Sequence, residues 1–417
     1  MASPAISQLL TTVSLTRRFW RHYNSILPTE LCHALQTDSA ITVWDGDLTK
    51  QHLGLDDCKI SQLKACVNVY IHAGSSISLR DSLPQIATSI VDPSLELAEI
   101  ALGSERLDRF LYISTAYANA HLHHLHQGVE TKVSERIYSL RSNGGDSTDL
   151  ELDDLRYCGT TPEYGTHKFP FPYAYAKHLT ERLLLKRFQG EHRGDSLLIV
   201  RPSIIGPAIR EPFPNYEIRG SAPASAVLAA FIGLPSTKLT LSSRFENPMT
   251  ESTLDEVPVD IVVNRVLMHL YQRSEGCVHT VAGASGRHKF ETIWEKAMSE
   301  RRIPWQPRPV WLDIDWHSPL LHDIARRFVV MGTSYIFEDQ KVHPIWASMS
   351  DAEKLTFPLF APASEELDLV QRRGHIRYQL GRWLSRKGLP LLFLHFLIGS
   401  ATSGGAYSSR YLQSFSN

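Results

Sequence analysis

The sequence predicts an α/β fold in which the strands of a parallel sheet alternate with helices. An apolar run at Arg109–Ile113 is followed by a helix-forming stretch at residues 173–187 and by a second apolar run at residues 196–200. Such alternation is typical of a parallel sheet, because parallel strands need a crossover between them. Ser114 and Thr115 directly follow the first apolar run. Ligands bind at the carboxyl ends of strands in open α/β sheets, so the sequence predicts a site at that edge.

The elements before the first apolar run continue the alternation. Short apolar stretches predict strands at residues 40–43 and 67–71. Residues 82–102 have a helical pattern that contains Pro93. Because proline has no N–H to donate and its ring clashes with the preceding turn, we expect a kink at that position.

The second half of the chain is less regular. Residues 125–170 contain a Gly-Gly pair and a cluster of acidic residues, which predicts mostly loop. A helix is expected to open after Val257-Pro258-Val259, with Asp260 as its cap or anchor. Residues 276–281 predict the last strand of the sheet. Beyond about residue 290 the pattern turns helical, aromatic and basic.

Composition excludes several classes of function. The 417 residues include 43 Lys and Arg against 44 Asp and Glu, which argues against a nucleic-acid partner. Five scattered cysteines form no Cys-x-x-Cys pair, so we expect a reduced, cytoplasmic setting and no metal site. No apolar run reaches the ~18–20 residues of a membrane span. The longest, at residues 389–398, could lie on an organelle membrane surface or in a substrate tunnel, but a core helix or strand is the favoured interpretation.

Tyr173 and Lys177 are the candidate reactive pair. Residues four apart share one face of a helix, so the ammonium would lie beside the phenol. We expect it to lower the phenol pKa and to make Tyr173 a proton donor to a carbonyl oxygen. A hydroxyl from Ser114 or Thr115 could bond the same oxygen. A Tyr-x-x-x-Lys spacing alone occurs roughly once by chance in such a chain, so the order of elements carries the prediction.

Four stretches make the chain resemble the fatty acyl-CoA reductases, the male sterility type of extended short-chain dehydrogenase/reductases. They are Gly46-Asp47-Leu48 with Ile71-His72-Ala73-Gly74, Ser114-Thr115-Ala116-Tyr117-Ala118-Asn119, Tyr173 to Lys177 with Glu181, and Arg201-Pro202-Ser203-Ile204. The sequences Glu211-Pro212-Phe213-Pro214 and Val257-Pro258-Val259-Asp260 also fit. The resemblance implies a Rossmann-like parallel sheet with helices on both faces in residues 1–285, a substrate-lining segment at 207–256, and a mostly helical C-terminal region at 286–417.

The resemblance also implies an activity and roles for single residues. The activity is the NADPH-dependent reduction of an acyl thioester, acyl-CoA, to aldehyde and then alcohol. Tyr173 would be the general acid, Lys177 would also bind the nicotinamide ribose, and Thr115, with Ser114 close behind, would orient the carbonyl. The remaining cofactor contacts implied are Asp47 with the adenine amino group, His72, Ala73 and Gly74 along the strand end, and Pro202, Ser203 and Ile204 beside the nicotinamide carboxamide.

The chain departs from the family pattern at its start. The family begins with a strand, a glycine-rich turn and a helix that receives the cofactor pyrophosphate. Here the first glycine is Gly46. By the family's order we expect the first strands and this turn to be absent. Three explanations stay open: a shortened product of an active reductase, a remnant that binds cofactor poorly, or a sheet completed by another segment or subunit.

Two milder departures from the family pattern concern residues 89 and 215–216. Ser89 stands where the family usually has an Asn that supports the lysine through water, and Asn215-Tyr216 stands where it tends to have Gly-Trp.

Two alternatives to the acyl-CoA reductase function stay open. A carrier-bound thioester or another carbonyl would be an alternative substrate. A truncated, non-catalytic homologue is the alternative outside enzymes.

Overall fold

The computed structural model describes residues 20, 23–24, 27–37, 41–125, 129–140, 147–218, 220–361 and 369–398. Within them the strands are β1 (Val69–His72), β2 (Arg109–Ile113), β3 (Thr131–Val133), β4 (Leu197–Pro202), β5 (Ile204–Gly206), β6 (Lys238–Ser242), β7 (Thr253–Pro258), β8 (Gly276–Thr280), β9 (Arg287–Lys289), β10 (Arg308–Leu312) and β11 (Tyr335–Phe337). The α-helices are α1 (Thr29–Thr37), α2 (Asp57–Cys66), α3 (Leu83–Ile86), α4 (Asp92–Leu102), α5 (Thr148–Tyr157), α6 (Pro162–Thr166), α7 (Pro172–Gly190), α8 (Pro223–Ile232), α9 (Pro248–Glu251), α10 (Val259–Tyr271), α11 (Phe290–Glu300), α12 (Asp323–Arg327), α13 (Val342–Ser348), α14 (Asp351–Thr356), α15 (Leu369–Arg386) and α16 (Leu394–Leu397).

The central sheet has the strand order β1-β2-β4-β8, and all its neighbours are parallel. Phe110 and Ile199 point to one face and share a core with residues of α4 and α7. Leu198 and Val278 point to the other face and pack against Val266 of α10. Every residue of β4 is buried, as expected for a strand covered on both sides. The prediction of a Rossmann-like parallel sheet with helices on both faces is therefore confirmed.

Strand β1 forms one edge of this sheet. It pairs with β2 and, among the described residues, with no second strand. Its side chains alternate, so that Tyr70 and His72 are buried while Val69 and Ile71 are 37% and 50% exposed. This edge and its apolar face are accordingly less covered than the centre of the sheet.

The predicted helix at residues 82–102 forms, and its regular hydrogen bonding is interrupted just before Pro93. Between α3 and α4 the chain makes one π-helical segment, Ala87–Val91. Pro93 has no N–H for the carbonyl of Ser89 four residues earlier. The Ser89 carbonyl instead accepts from the N–H of Ser76, at 3.4 Å, in the loop that follows β1. The proline therefore leaves an acceptor that holds this loop against the helix.

Two pairs of strands cross the predicted boundary at residue 285. Strand β10 pairs in parallel with β6, and β11 pairs in parallel with β3. Helix α15 packs on α8, where Leu380 and Ile376 share a core with Phe231. The C-terminal part is mostly helical, as predicted, but it adds strands to the part before it. The division at 285 itself stays a prediction.

Two local predictions are wrong. Residues 41–43 belong to no strand. Residues 125–170, expected to be mostly loop, contain β3, α5 and α6. The acidic stretch of α5 was misleading because its helix is stabilised by a contact with another helix. Glu151, almost fully buried, forms an ion pair with Arg182 of α7.

The anchoring role predicted for Asp260 is confirmed. The carboxylate of Asp260, at the start of α10, accepts from the backbone N–H groups of Ile209 and Arg210 at 3.0 and 2.8 Å, so it anchors the loop after β5. The apolar run at residues 389–398, expected to be a core helix or strand, is only partly so. Residues 391–398 form a short 3₁₀ turn and α16, and Ile398 is buried in the second core, but Leu389, Leu391 and Phe393 are 41%, 42% and 46% exposed. In the part of the chain that the structure describes, no helix is both long enough and apolar enough to span a bilayer.

Candidate active site

Helix α7 presents three polar side chains in one row toward the sheet. Pro172 opens the helix, a position where the missing N–H of proline is no loss. Tyr173, Lys177 and Glu181 follow at intervals of four residues and therefore share one face. Lys177 is buried, and its Nζ donates to the carbonyl of Ile113, the last residue of β2, at 2.9 Å. The row thus meets the carboxyl end of β2, as the sequence predicted for Lys177.

Burial dominates the electrostatics of this pair. The Nζ of Lys177 lies 4.7 Å from the ring centroid of Tyr112 and 6.0 Å from that of Tyr173. Burial lowers the pKa of Lys177 to about 7, against the opposing effect of Glu181. Burial raises the pKa of Tyr173 to about 12. The prediction that Lys177 lowers the pKa of Tyr173 is therefore wrong for this chain by itself, because loss of hydration raises that pKa while the ammonium lies 6.0 Å from the ring centroid. The phenol stays protonated at neutral pH and remains a donor.

The hydroxyl of Ser114 belongs to a buried ionic network. Its Oγ donates to Oε1 of Glu181, the third residue of the row on α7. Arg201 of β4 bonds both carboxylate oxygens of Glu181, with Nε to Oε1 at 2.8 Å. Arg201 also donates to the carbonyl of Arg136 at 2.9 Å. Both partners of the ion pair are essentially inaccessible to solvent. The network ties the ends of β2 and β4 to α7, and it gives Arg201 a structural role.

Thr115 has a different set of partners. Its Oγ1 accepts from the N–H of Tyr117 at 3.3 Å and lies 3.5 Å from the carbonyl of Pro202, to which it can donate. Neither contact involves an ion. Ser114 and Thr115 both lie at the carboxyl end of β2, with Pro202 at the corresponding end of β4. The structure therefore brings these residues and Lys177 to one edge of the sheet.

At the end of β1, the imidazole of His72 is turned into the core. Its Nε2 is 2.9 Å from Oγ of Ser94, and its ring stacks on Tyr112 with centroids 5.6 Å apart. Burial, reinforced by Lys177, lowers the pKa of His72 to about 4, so the ring is neutral. Ala73 and Gly74, by contrast, are exposed. Only the backbone of His72, with these two residues, is available at the strand end.

The carboxylate of Asp47 is occupied by its own turn. It accepts from the N–H and Oγ1 of Thr49 at 3.0 and 2.7 Å, and Lys50 lies 3.7 Å away. The two bonds from Thr49 hold the pKa of Asp47 below its usual value. The second carboxylate oxygen faces an exposed lysine, so the group is accessible at the surface of the loop.

Beyond β4, the chain passes from the candidate cofactor edge into a second layer of strands. Ser203 is buried, and its N–H bonds the carbonyl of Thr280 in β8 at 3.3 Å. Ile204 then begins β5, which pairs with β7 opposite Glu256. The buried carboxylate of Glu256 is held by both terminal nitrogens of Arg372 in α15, at 2.8 and 2.7 Å. Sequence reasoning missed this pair, since its members lie 116 residues apart.

A neighbouring carboxyl group, Asp255, is also buried and was not predicted. It accepts from the N–H groups of Ala282 and Gly283 at 2.9 and 3.0 Å. Burial raises the pKa of Asp255 to about 6 despite these bonds. Among the residues with described positions, no three His, Cys, Asp or Glu side chains form a group that could hold a metal ion.

Comparisons with known proteins agree with this arrangement. A family model described as male sterility protein matches residues 9–266. Fatty acyl-CoA reductase 2 of Homo sapiens is 30% identical over 224 residues, which are 53% of this chain and 39% of that protein. Fatty acyl-CoA reductase 1 of Gallus gallus is 27% identical over 228 residues, 54% of this chain and 40% of that one. The chain thus spans about two fifths of the length of these curated relatives.

Among solved structures, the terminal R domain from the myxalamid PKS-NRPS biosynthetic pathway is similar, with a TM-score of 0.50 and 14% identity. The match covers 86% of this chain and 77% of that chain, and at this identity it shows the fold alone. The family model, however, covers well over half of the 417 residues, including β1, β2, α7 and β4. The chain therefore belongs to the male sterility type of fatty acyl-CoA reductases, a family of extended short-chain dehydrogenase/reductases.

Proposed function

We propose that the protein reduces a fatty acyl thioester, acyl-CoA, to aldehyde and then alcohol, with NADPH as the hydride donor. The observation that supports this most is the row on α7, which holds Lys177 against the carboxyl end of β2 and places Tyr173 one helical turn away. Family membership adds that the matched relatives are fatty acyl-CoA reductases. Residues 207–256 are proposed to line the acyl chain within a reductase domain of residues 1–285, and residues 286–417 to form the C-terminal region.

The residues at this edge suit the nicotinamide end of a dinucleotide. Lys177 has a buried ammonium with one backbone acceptor, which leaves donors for a ribose hydroxyl. Ala73 and Gly74 are exposed at the end of β1, and Pro202, Ser203 and Ile204 follow β4 on the same side of the sheet. Asp47 would accept from the adenine amino group through its accessible oxygen. The bound cofactor supplies the hydride, so the chain has to orient the carbonyl and supply a proton.

Proton supply is assigned to Tyr173. Its phenol is neutral, with a pKa of about 12, and can donate to the oxygen of a carbonyl that gains a hydride. Lys177, whose pKa of about 7 lets it carry a proton near neutral pH, can stabilise the resulting phenolate and return the proton. Thr115 is the better candidate to orient the carbonyl, because the hydroxyl of Ser114 is bonded to Glu181.

The decisive experiment compares Tyr173→Phe with the matched control Tyr157→Phe. Tyr157 is 86% exposed at the end of α5, so its hydroxyl has no part in the proposed site. We expect Tyr173→Phe to lower kcat for acyl-CoA reduction ~10²–10⁴-fold, as removal of a positioned proton donor does. The affinity for NADPH, measured by calorimetry, should be unchanged in both variants. Full activity in Tyr173→Phe would exclude this residue as the acid.

The same assays separate the alternatives. A reductase of carrier-bound thioesters would turn over the carrier substrate and leave acyl-CoA unreduced. A non-catalytic homologue would bind neither NADPH nor NADH measurably. Preference between the two cofactors is read directly from the two calorimetric titrations of the full chain.

A further inference from the structure

We propose that Tyr112 is a positioning residue, whose ring face holds the ammonium group of Lys177 at the carboxyl end of β2 and stabilises its positive charge. The inference deepens the proposed function, on which its meaning for catalysis rests. Tyr112 belongs to β2 and Lys177 to α7, so the packing of the helix on the sheet brings them together. The Nζ of Lys177 lies 4.7 Å from the ring centroid of Tyr112. This is within the ~6 Å at which an aromatic face attracts a cation.

The burial of Lys177 makes this contact important. Lys177 is only 3% exposed, and its Nζ donates to the carbonyl of Ile113 at 2.9 Å. An ammonium that has lost its water is destabilised unless charges or dipoles of the protein replace that water. Burial lowers the pKa of Lys177 to about 7. An interaction of modest strength with the ammonium therefore changes how much of Lys177 is protonated at neutral pH.

The other groups of α7 and β4 near Lys177 are less suited to hold its charge. Glu181, one turn further along α7, favours the ammonium, but its carboxylate is already bonded by Arg201 and Ser114. In the part of the chain that the structure describes, no carboxylate forms an ion pair with Lys177. The ring of Tyr173 is further away than that of Tyr112, with its centroid 6.0 Å from the Nζ.

Strand β1 contributes an uncharged ring that packs on Tyr112. The imidazole of His72 stacks on the phenol ring with centroids 5.6 Å apart. Its pKa of about 4 keeps it neutral, so it adds no second positive charge beside Lys177. Ser94 of α4 lies 2.9 Å from the Nε2 of His72 and holds that ring in turn. Tyr112 itself is fully buried, so its neighbours on both strands and on α7 fix the position of its ring.

An aromatic face suits the proton transfer that we assign to Lys177. A carboxylate in its place would form an ion pair and would hold the pKa of the ammonium well above neutral. The face of an uncharged ring attracts the ammonium more weakly. Lys177 can then release and regain a proton near neutral pH, as its proposed return of a proton to Tyr173 requires.

The test measures the pKa of Lys177 by NMR in the full chain without cofactor. The lysine Cε atoms are labelled with carbon-13, and the Lys177 signal is the one that is absent from Lys177→Arg. Tyr112→Leu removes the ring, whereas Tyr112→Phe keeps the ring and removes the hydroxyl. Phe110→Leu is the matched control, because Phe110 is fully buried in the same strand but packs on Phe188, with ring centroids 5.2 Å apart. Tyr112→Leu should lower the pKa of Lys177 by about one pH unit or more, and the other two variants should leave it unchanged.

A second series keeps the shape of the core and changes only the charge distribution of the ring. In Tyr112→Phe, phenylalanine analogues with one, two and three fluorine atoms on the ring make its face progressively less negative. The pKa of Lys177 should fall with each added fluorine. A pKa that does not change along the series would overturn the proposal. An equal fall in Phe110→Leu, or in unfluorinated Tyr112→Phe, would also overturn it.

Turnover separates this inference from the proposed function. If the chain reduces acyl-CoA with the help of the ammonium, Tyr112→Leu should lose activity at a lower pH. The upper limb of its kcat/KM profile should move down by the same interval as the pKa of Lys177, while Tyr112→Phe keeps the wild-type profile. A limb that stays in place although this pKa falls would overturn the positioning role. A fall in the pKa of Lys177 in a chain that reduces no thioester would refute the proposed function and keep the contact between the ring and the ammonium.

Discussion

Replacing Glu181 by Gln tests whether the buried ionic network holds the site together. The carboxylate of Glu181 compensates the charge of Arg201, and neither side chain is accessible to water. It also accepts from Ser114, so three donors converge on one group. Removing one charge of a buried pair destabilises a protein by about 3–5 kcal/mol, because the remaining charge is left without a partner. The amide keeps the shape and one acceptor oxygen, so we expect a loss near the lower end, about 3 kcal/mol.

Urea denaturation followed by circular dichroism measures this loss as a shift of the midpoint at constant slope. Glu99→Gln is the matched control, since Glu99 pairs with Arg187 at the surface, where the two side chains are 56% and 33% exposed. Such a pair contributes at most about 1 kcal/mol. The double variant Glu181→Met/Arg201→Met should be more stable than Glu181→Gln, because no buried charge remains. A loss below about 1 kcal/mol in Glu181→Gln would refute the reasoning.

Three further predictions concern the hydroxyl pair, pH and one glycine. Thr115→Val should lower kcat for thioester reduction about tenfold or more and leave the stability unchanged. Ser114→Ala should instead lower the free energy of unfolding by about 1 kcal/mol. Measuring kinetics and denaturation on both variants distinguishes the two roles. The free energy of unfolding should be greatest above about pH 6.5 and should fall toward pH 4. Burial lowers the folded-state pKa of five imidazoles, so the unfolded chain takes up protons on them first as the pH falls. Each imidazole should contribute a loss of roughly 1.4 kcal/mol per pH unit. Burial also raises the pKa of Asp255 to about 6, that of Glu217 to about 7 and that of Glu135 above its usual value. These three carboxyl groups act in the opposite direction but are outnumbered by the five imidazoles. A flat denaturation profile between pH 7 and 4 would contradict the prediction. The imidazoles, with their pKa values, are His72 (about 4), His121 (about 3), His124 (about 4), His269 (about 4) and His279 (about 3). Gly206→Ala should destabilise the fold by about 1–3 kcal/mol, because the new Cβ would lie 2.7 Å from the carboxyl carbon of Glu256, and an unchanged melting temperature would contradict this.

The elements that surround the candidate site could be predicted from local sequence. Strands β2 and β4 are continuous apolar runs because both faces of each are covered, and such runs are visible in any window of the chain. Helix α7 is marked by Pro172 at its start and by the spacing of Tyr173 and Lys177. The position of Lys177 at the end of β2 followed from the order of elements alone.

What could not be predicted depends on partners far away in sequence. Strand β3 has three residues and pairs with β11 about two hundred positions later, so neither strand can be predicted from a local sequence pattern. The roles of Ser114 and Thr115 are similar in this respect. Adjacent hydroxyls look equivalent in sequence, and only the distant Glu181 distinguishes them. The rise in the pKa of Tyr173 was missed because burial cannot be read from a spacing of four residues.

The contact between Ser76 and Ser89 has a consequence for any attempt to make the protein more robust. Pro93 would be an obvious target for replacement by alanine, since alanine restores a helical donor and removes an irregular turn. That donor, however, would compete with the N–H of Ser76 for the Ser89 carbonyl. The loop after β1 would then be held less firmly against the helix, and this loop begins with the exposed Ala73 and Gly74 at the proposed cofactor edge. A Pro93→Ala variant that melts at a higher temperature should therefore bind NADPH less well, so a thermal screen would select against cofactor binding at this position.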